Sequence, residues 1–308
     1  MKEDSSIQLI RRDNLDVTKW DACIEQAPNG LIYSYSYYLD LVSPGWEALV
    51  MDDYKTVMAL PARTKFGVHY LYQPFLFAQG GITGENTAAD STDRFLSQIP
   101  PTYRFIDICL NHANRITAEK GKSFFRNNFI LNLSDKYETI ASRYADNIRR
   151  NLKKSGETPY QFSDAVNPDD VIRLAAAQMQ KTTAEYRKNM DLFSKLYEEL
   201  HKRDMAKSYG VIAADGSLHA SCIFFFSHHR AYYILVGNDP AGKLTGASHT
   251  LIDAFIRHQS GKNLLLDFEG SDIPGLARYY SGFGAINQPY PAWQSNRLPF
   301  FLKWLKKI

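Results

Sequence analysis

The chain has 308 residues, of which 44% are hydrophobic and 22% charged, and its formal net charge is +3 at neutral pH. This composition is that of an ordinary globular protein, and it excludes a fibrous repeat and an intrinsically disordered chain. The small net charge gives no general argument for nucleic acid, so any site for a polyanion has to be local. The length predicts two domains of about 150 residues each.

Three cysteines, Cys23, Cys109 and Cys222, stand singly among apolar neighbours, without the close spacings of metal and redox sites. We expect buried free thiols and no metal site. The N-terminal residues lack the apolar core of a secretory signal, and no apolar run is long enough to span a bilayer. The sequence therefore predicts a cytoplasmic protein without a transmembrane segment, while the basic amphipathic tail at 300–307 leaves peripheral membrane contact open.

Alternation and turn signals predict the elements of the first half. The predicted strands are 7–10, 46–51, 56–61, 69–72 and 104–110, and the predicted helices are 17–26, 35–41 and 91–96. The tyrosine-rich segment 33–38, with Tyr70, Tyr72, Gln73 and Phe75, predicts either the wall of an acceptor groove or packing between domains.

Periodicity is clearer from residue 137 onward. The predicted helices are 137–154, 168–187, 190–201, 244–258 and 273–283, and the predicted strands are 160–162, 206–213, 220–226, 231–236 and 263–267. Between residues 160 and 283 the order is strand, two helices, three antiparallel strands, helix, strand and helix. The first half repeats this order more weakly, so we expect two domains of one architecture.

Basic side chains cluster at the end of the predicted helix 137–154, which carries Arg143, Asn147, Arg149, Arg150, Lys153 and Lys154. At four-residue spacing they form two adjacent rows whose like charges repel. One interpretation is a solvated face that suits the helix C-terminal dipole. The other is a phosphate or nucleic-acid contact, because guanidinium groups pair well with phosphate oxygens.

Two carboxylates follow the strand 263–267, in the sequence Asp267-Phe268-Glu269-Gly270-Ser271. If extended backbone continues past Asp267, both carboxylates face one side, where they could bind an ammonium group and later take its proton. The alternative is structural: the carboxylates cap the next helix or pair with Arg278. An aromatic helix end follows, Tyr279-Tyr280-Ser281-Gly282-Phe283-Gly284.

These segments together resemble the Fem-type aminoacyl and peptidyl transferases of the GNAT acyltransferase superfamily. Members of that family open their second domain with an Asn-x-Arg-x-x-x-x-Lys helix and carry a later Asp-x-x-Gly stretch. After that stretch they carry a glycine and then a helix that ends in aromatic-Lys-x-x-Phe-Gly. The residues of this chain in register with that pattern are Gly275, Tyr279, Phe283 and Gly284. The family lysine is Tyr280 here, so another donor, such as a tyrosine hydroxyl or a backbone amide, would have to stabilise charge on the transferred acyl group.

Carried over by position, the resemblance implies anion or substrate contacts at Arg149, Arg150, Lys154 and Tyr279. The candidate catalytic residues are Asp267, Glu269 and Tyr280.

A third candidate site is the donor segment 237–248, which ends an antiparallel strand and opens a helix. GNAT enzymes place Gln/Arg-x-x-Gly-x-Gly/Ala here, so that backbone amides hold the donor's pyrophosphate. Lys243-x-x-Gly246-x-Ser248 is a loose version of that motif. Either Lys243, Gly246 and Ser248 bind the donor, or the segment is a capped turn without a ligand.

The resemblance implies an α+β fold of two tandem GNAT-like (acyl-CoA N-acyltransferase) domains with mixed, mainly antiparallel central sheets. In this fold the last antiparallel strand and the following parallel strand splay apart. We expect a first domain over 1–138, completed by the C-terminal segment 290–308. The second domain, over 139–289, would carry the donor loop and the DFEGS motif.

The implied activity is N-acyl transfer: backbone amides at the splay polarise an activated acyl or aminoacyl carbonyl, which a neutral amine attacks. The acceptor would be a small molecule or a cell-wall (peptidoglycan) precursor. No cofactor would be permanently bound, and the co-substrate would be an aminoacyl-tRNA, a coenzyme A thioester or an acyl carrier protein. Thus tRNA is a candidate partner, and DNA is not.

Two alternatives stay open. One is an acyltransferase that depends on coenzyme A or acyl carrier protein and acts on a small amino compound. The other is a non-catalytic GNAT-like binding module, which the loss of the family lysine at Tyr280 favours.

Overall fold

The computed structural model of the chain describes residues 6–300 apart from positions 86, 88, 118–120, 180–182 and 271. Ser271 of the DFEGS loop and most of the 300–307 tail therefore lie outside the described residues. The chain divides into two compact units, Met1–Arg126 with Pro289–Ile308, and Asn127–Gln288.

The elements up to Arg126 belong to the first unit. They are β1 (Ile7–Arg11), α1 (Val17–Gln26), α2 (Ser36–Val42), β2 (Glu47–Met51), β3 (Thr56–Leu60), β4 (Ala62–Lys65), β5 (Val68–Leu71), β6 (Ile82–Gly84), α3 (Ala89–Gln98), β7 (Tyr103–Cys109) and β8 (Lys122–Arg126).

The elements of the second unit follow, and one last strand comes after it. They are β9 (Asn128–Asn132), α4 (Tyr137–Ser142), α5 (Asp146–Ser155), β10 (Gln161–Ser163), α6 (Pro168–Met179), α7 (Ala184–His201), β11 (Ala206–Ile212), β12 (Leu218–Ser227), β13 (Arg230–Asn238), α8 (Pro240–Thr245), α9 (Ala247–Gln259), β14 (Leu265–Gly270), α10 (Pro274–Gly282), β15 (Ile286–Asn287) and β16 (Tyr290–Asn296).

The first unit contains two sheets, with the strand orders β1-β2-β3-β6 and β4-β5-β7-β16-β8. All strand pairs in them are antiparallel except β5 with β7, which run parallel. The strand β16 lies between β7 and β8, so the chain returns to the first unit after leaving the second.

The second unit contains one seven-stranded sheet with the order β10-β11-β12-β13-β14-β9-β15. A two-residue turn at His228 and His229 joins β12 to β13, and both residues have positive φ angles, 50° and 52°. Such a turn matches the right-handed twist of the flanking strands. The strand β9 pairs with β14 and β15, so the unit begins at residue 127, before the expected boundary at 138/139.

The strands β13 and β14 separate soon after they meet. They pair in parallel only from Arg230 opposite Leu265 to Tyr232 opposite Asp267, whereas β13 continues to Asn238. Opposite β12, β13 also carries one extra residue, Ile234, in a register shift. Beyond Tyr232, β13 therefore has a free edge on the side where β14 departs. This is the splay that the sequence predicted, within a mixed, mainly antiparallel sheet.

The core of the second unit lies between the sheet and the helices α4, α5, α9 and α10. Its members include Tyr209, Phe224, Phe255, Phe268 and Phe283. The Phe224 and Phe255 rings stack with their centroids 3.9 Å apart. Apolar side chains recurring every three or four residues produce this inward face of α9, which is the amphipathic pattern visible in the sequence.

Several predicted elements differ from the structure. The predicted helix 137–154 is two helices, α4 and α5, and the predicted helix 244–258 is α8 followed by α9. Gly246 separates α8 from α9 because its φ of +78° is left-handed. The short strands β6, β8 and β9 were not predicted, since their three to five residues give too little alternation to read.

Candidate active site

The basic helix α5 packs against the start of α9. A Cβ atom placed on Gly246 would lie 3.5 Å from the Asn151 carbonyl oxygen and 3.8 Å from the Ser155 Cβ. The Ser155 and Thr250 hydroxyls are hydrogen-bonded. Two segments that the sequence proposed separately, the basic rows and the donor segment, are therefore neighbours.

Helical geometry divides the cations of α5 into two groups. At about 100° per residue, Lys154 lies nearest the side of α5 that contacts α9, about 60° around the helix from Asn151. Arg150 lies about 100° from Asn151, whereas Arg149 and Lys153 each lie about 160° from it. All four are exposed. The Arg149 guanidinium donates to the Ser142 carbonyl oxygen at 2.7 Å, which ties it to the end of α4. Arg150 and Lys154 therefore are the better candidates for an anion at the start of α9.

The turn between β13 and α8 differs from a glycine-rich pyrophosphate loop. The Asp239 carboxylate accepts the Gly242 amide at 2.5 Å, so an acidic side chain already caps the first helix after the strand. Gly242 is needed for close approach, since a Cβ there would lie 2.2 Å from the His219 carbonyl oxygen. Of the predicted donor residues, Lys243 is exposed on α8, while Gly246 and Ser248 lie at the start of α9.

Asp267 is a buried partner of an arginine, which favours the structural alternative to its predicted catalytic role. Its side chain is 1% exposed, and one carboxylate oxygen lies 2.5 Å from Arg230 Nη1. The other oxygen accepts the Glu269 amide at 2.9 Å. Arg230 also donates to Gln288 at 3.2 Å. A carboxylate so enclosed and paired holds strands together and cannot receive an acceptor amine.

Glu269 does not continue the strand, so it and Asp267 do not share one side as predicted. Its φ is +66°, and the register with β9 shifts between Asp267 and Gly270. Glu269 is partly exposed. Its negative charge acts on the Tyr280 hydroxyl: burial first, and then this charge, raises the Tyr280 pKa to about 12. The structure thus separates the two predicted carboxylates and brings Glu269 near Tyr280.

Tyr280 is 8% exposed, and its ring stacks on Phe268 with centroids 4.6 Å apart. A hydroxyl with so high a pKa stays protonated at neutral pH and can donate a hydrogen bond. The neighbouring Tyr279 hydroxyl donates to the Ser248 carbonyl oxygen at 3.1 Å, and burial raises its pKa. Tyr279, which the sequence analysis proposed as a substrate contact, therefore links α10 to the start of α9.

Two functional candidates were missed by sequence reasoning. At the far end of β13, the Asn238 amide donates to the Gln178 side-chain oxygen at 2.8 Å, while the buried Asn238 Oδ1 has no hydrogen-bond partner among the described residues. His249 faces the Tyr279 ring edge-on with the ring centroids 5.0 Å apart, and its buried Nδ1 lies beside the Gly246 backbone. Burial lowers the His249 pKa, so the ring is neutral at pH 7. Both were isolated polar residues in the sequence, which gave no signal of their contacts.

The aromatic residues of the predicted acceptor groove in the first unit are partly core and partly surface. Two of them, Tyr33 and Tyr38, are buried, and the partly exposed ones are Tyr35, Tyr37, Tyr70, Tyr72 and Phe75. Tyr33 and Tyr38 are at most 1% exposed, and their rings meet edge-on at 5.8 Å. The Gln73 side-chain oxygen accepts the Cys109 amide at 2.9 Å. These contacts explain the buried members of the cluster by packing within the unit, which the sequence could not separate from a groove wall.

The thiols and the helices give two further results. All three cysteines are free, with Cys109 and Cys222 buried and Cys23 partly exposed. Among the described residues, no group of three His, Cys, Asp or Glu side chains is arranged to hold a metal ion. No helix within the described ranges is both long enough and apolar enough to cross a membrane.

Comparison with known proteins identifies the second half. Residues 142–272 match the acetyltransferase (GNAT) domain family. Among curated proteins no match was found.

Solved structures resemble the whole chain at low sequence identity. The crystal structure of FemX superimposes with a TM-score of 0.67 and 10% identity, covering 98% of this chain and 100% of that one. A conserved protein of unknown function from Bacteroides thetaiotaomicron superimposes with a TM-score of 0.60 and 11% identity, covering 93% of this chain and 99% of that one. The C-terminal domain of a putative lysylphosphatidylglycerol synthetase from Agrobacterium fabrum superimposes with a TM-score of 0.54 and 9% identity, covering 94% of each chain. The chain therefore contains a GNAT domain and has a Fem-like GNAT fold.

Proposed function

We propose that the protein is an N-acyltransferase that moves an aminoacyl group from an aminoacyl-tRNA onto an amine. The observation that carries this proposal is the packing of α5 on the start of α9, beside the splay of a GNAT domain. Arg150 and Lys154 are exposed on the helix that packs on this N-terminus, and basic side chains and helix N-termini both attract phosphate.

The turn after β13 favours tRNA over coenzyme A as donor. A pyrophosphate in this segment would find the Gly242 amide at the N-terminus of α8 already bound by the Asp239 carboxylate, which leaves it only the start of α9. A tRNA phosphate backbone does not need that position, because it can follow an exposed basic helix. The names of two structural relatives, the lysylphosphatidylglycerol synthetase from Agrobacterium fabrum and L-PGS from Bacillus licheniformis (TM-score 0.51, 11% identity, 94% of each chain), agree with aminoacyl transfer.

The reaction would proceed at the splay. The neutral acceptor amine attacks the carbonyl carbon of the aminoacyl ester, and the new C–N bond forms as the C–O bond to the tRNA ribose breaks. The Tyr280 hydroxyl replaces the family lysine by donating a hydrogen bond to the carbonyl oxygen, together with free amides of β13. Glu269 orients the acceptor amine, and the proton that the amine loses passes to the departing ribose oxygen. The acceptor is a small amine or a cell-wall precursor.

A trapping assay tests this proposal without knowledge of the acceptor. Purified protein is mixed with total tRNA charged with labelled amino acids, or with acetyl coenzyme A, and hydroxylamine serves as the amine. Hydroxamate formed from aminoacyl-tRNA above the protein-free rate, and lost in Glu269→Gln, supports the proposal. Formation only from acetyl coenzyme A would replace the donor by a thioester. Formation from neither would favour the non-catalytic binding module.

A further inference from the structure

A cavity of about 400 Å³ opens on the first unit, and every residue that lines it belongs to that unit. One wall is a stripe of α1 at helical spacing, made of Lys19, Ala22, Cys23 and Gln26. The opposite wall is the turn between β2 and β3 and the end of β6. The volume lies in the range of small-molecule sites.

The two walls are tied together, so the cavity is preformed. The Lys19 ammonium lies 2.7 and 2.9 Å from the two Asp53 carboxylate oxygens. The Asp16 amide donates to the Tyr54 hydroxyl at 2.9 Å, and the Glu85 amide to the Lys55 carbonyl oxygen at 3.0 Å. Little ordering would remain for a ligand to impose.

The backbone around the cavity is unusual. Asp52, Asp53 and Tyr54 have successive positive φ angles of 50°, 52° and 71°. Non-glycine residues reach this region at a cost and stay there when their surroundings hold them. In the same wall, a Cβ on Gly84 would lie 2.2 Å from the Lys55 carbonyl oxygen, so only glycine allows this close approach.

The charges of the lining define the ligand. Lys19 and Asp53 neutralise each other, which leaves Lys55 and Glu85 as one cation and one anion. In the described part of the chain neither of these forms an ion pair within 4.0 Å. Burial and the Glu85 charge raise the Cys23 pKa to about 12, so the thiol at the cavity wall is neutral and unreactive. The chemistry is therefore that of binding, with opposite charges on a mostly neutral surface.

We propose that this cavity binds a free α-amino acid, whose ammonium group contacts Glu85 and whose carboxylate contacts Lys55. This binding goes beyond the acyl transfer proposed above, and all the residues of the site lie in the first unit.

Calorimetric titration of the full chain with glycine, L-alanine and L-lysine tests the proposal, with ethylamine and acetate as half-ligands. At least one amino acid should bind saturably at millimolar concentration or below, and more tightly than either half-ligand. Glu85→Gln and Lys55→Met should each weaken it at least about tenfold, the scale of a charge-assisted contact. Glu25→Gln and Lys65→Met, which remove exposed charges outside the cavity, should not.

A steric pair makes the location testable. Gln26→Trp fills the cavity from its exposed rim and should abolish binding. Glu25→Trp, at the preceding position of α1 and outside the lining, should leave the affinity unchanged. The proposal is wrong if none of the three amino acids binds, or if binding survives in Gln26→Trp or in the two charge variants.

Discussion

Arg230, the first residue of β13 that pairs with β14, reaches Asp267, the last paired residue of β14, with Nη1 and a carboxylate oxygen 2.5 Å apart. Both side chains are at most 6% exposed. The pair sits where the two strands begin to separate. It therefore fixes the origin of the splay on which the proposed chemistry depends.

Breaking this pair should be costly, because the remaining charge would be buried without its partner. We expect Asp267→Asn to lower the free energy of unfolding by about 3–5 kcal/mol. Removing both charges, in Arg230→Met with Asp267→Leu, should recover much of that loss. Urea denaturation measures both, with Glu199→Gln in the exposed Glu199–Arg203 pair as a control that changes stability by less than about 1 kcal/mol. A harmless Asp267→Asn would contradict the structural role.

The backbone conformation at residue 246 requires glycine, whether or not Gly246 also binds the donor. Its φ of +78° strains every side chain, so Gly246→Ala should destabilise the protein by about 1 kcal/mol or more. Gly275→Ala is the matched control, since its φ is not left-handed and a Cβ there meets nothing within 4 Å. Thermal melts compare the two. Equal melting temperatures would show that the α8–α9 junction tolerates a side chain, and Gly246 could then be used to test donor binding directly.

Tyr280 should tolerate loss of its hydroxyl but not a charge. Tyr280→Phe keeps the ring on Phe268 and should fold normally, while turnover falls at least about tenfold if the hydroxyl stabilises the carbonyl oxygen. Tyr280→Lys restores the family residue but places an ammonium group at a site that is 8% exposed. We expect it to lower the melting temperature. An active and stable Tyr280→Lys would show that this site can be hydrated.

Ionisation of Tyr280 should weaken the fold at alkaline pH. Its folded pKa is about 12, above the usual 10, so its contribution is complete below pH 10 and is lost as pH rises toward 12. The difference in unfolding free energy between Tyr280→Phe and the parent should be constant from pH 7 to 9. Above pH 10 it should shift in favour of Tyr280→Phe. If the two proteins keep the same difference in unfolding free energy above pH 10, the Tyr280 hydroxyl is exposed to water and its pKa is not raised.

The sequence predicted those parts of the fold that depend on local pattern. Alternation gave β11 to β13, and the run into Asp267 gave β14, so the GNAT order followed from residues alone. The expectation that Asp267 and Glu269 share one side assumed continuing strand geometry, and the left-handed φ of Glu269 interrupts it. The packing of Asn151 against Gly246 joins residues 95 positions apart (246 − 151), and no local pattern encodes such a contact.

The central claim is that α5 and the start of α9 hold a tRNA donor. Its most direct test is the affinity for aminoacylated tRNA, measured over a range of salt concentrations, of Arg150→Ala with Lys154→Ala. The matched control, Lys195→Ala with Lys202→Ala, removes two exposed charges from α7 and its C-terminal cap. We predict that the α5 variant binds at least about tenfold more weakly, with a salt slope reduced by about two, at unchanged melting temperature. Equal affinity and slope in the two variants would contradict the account.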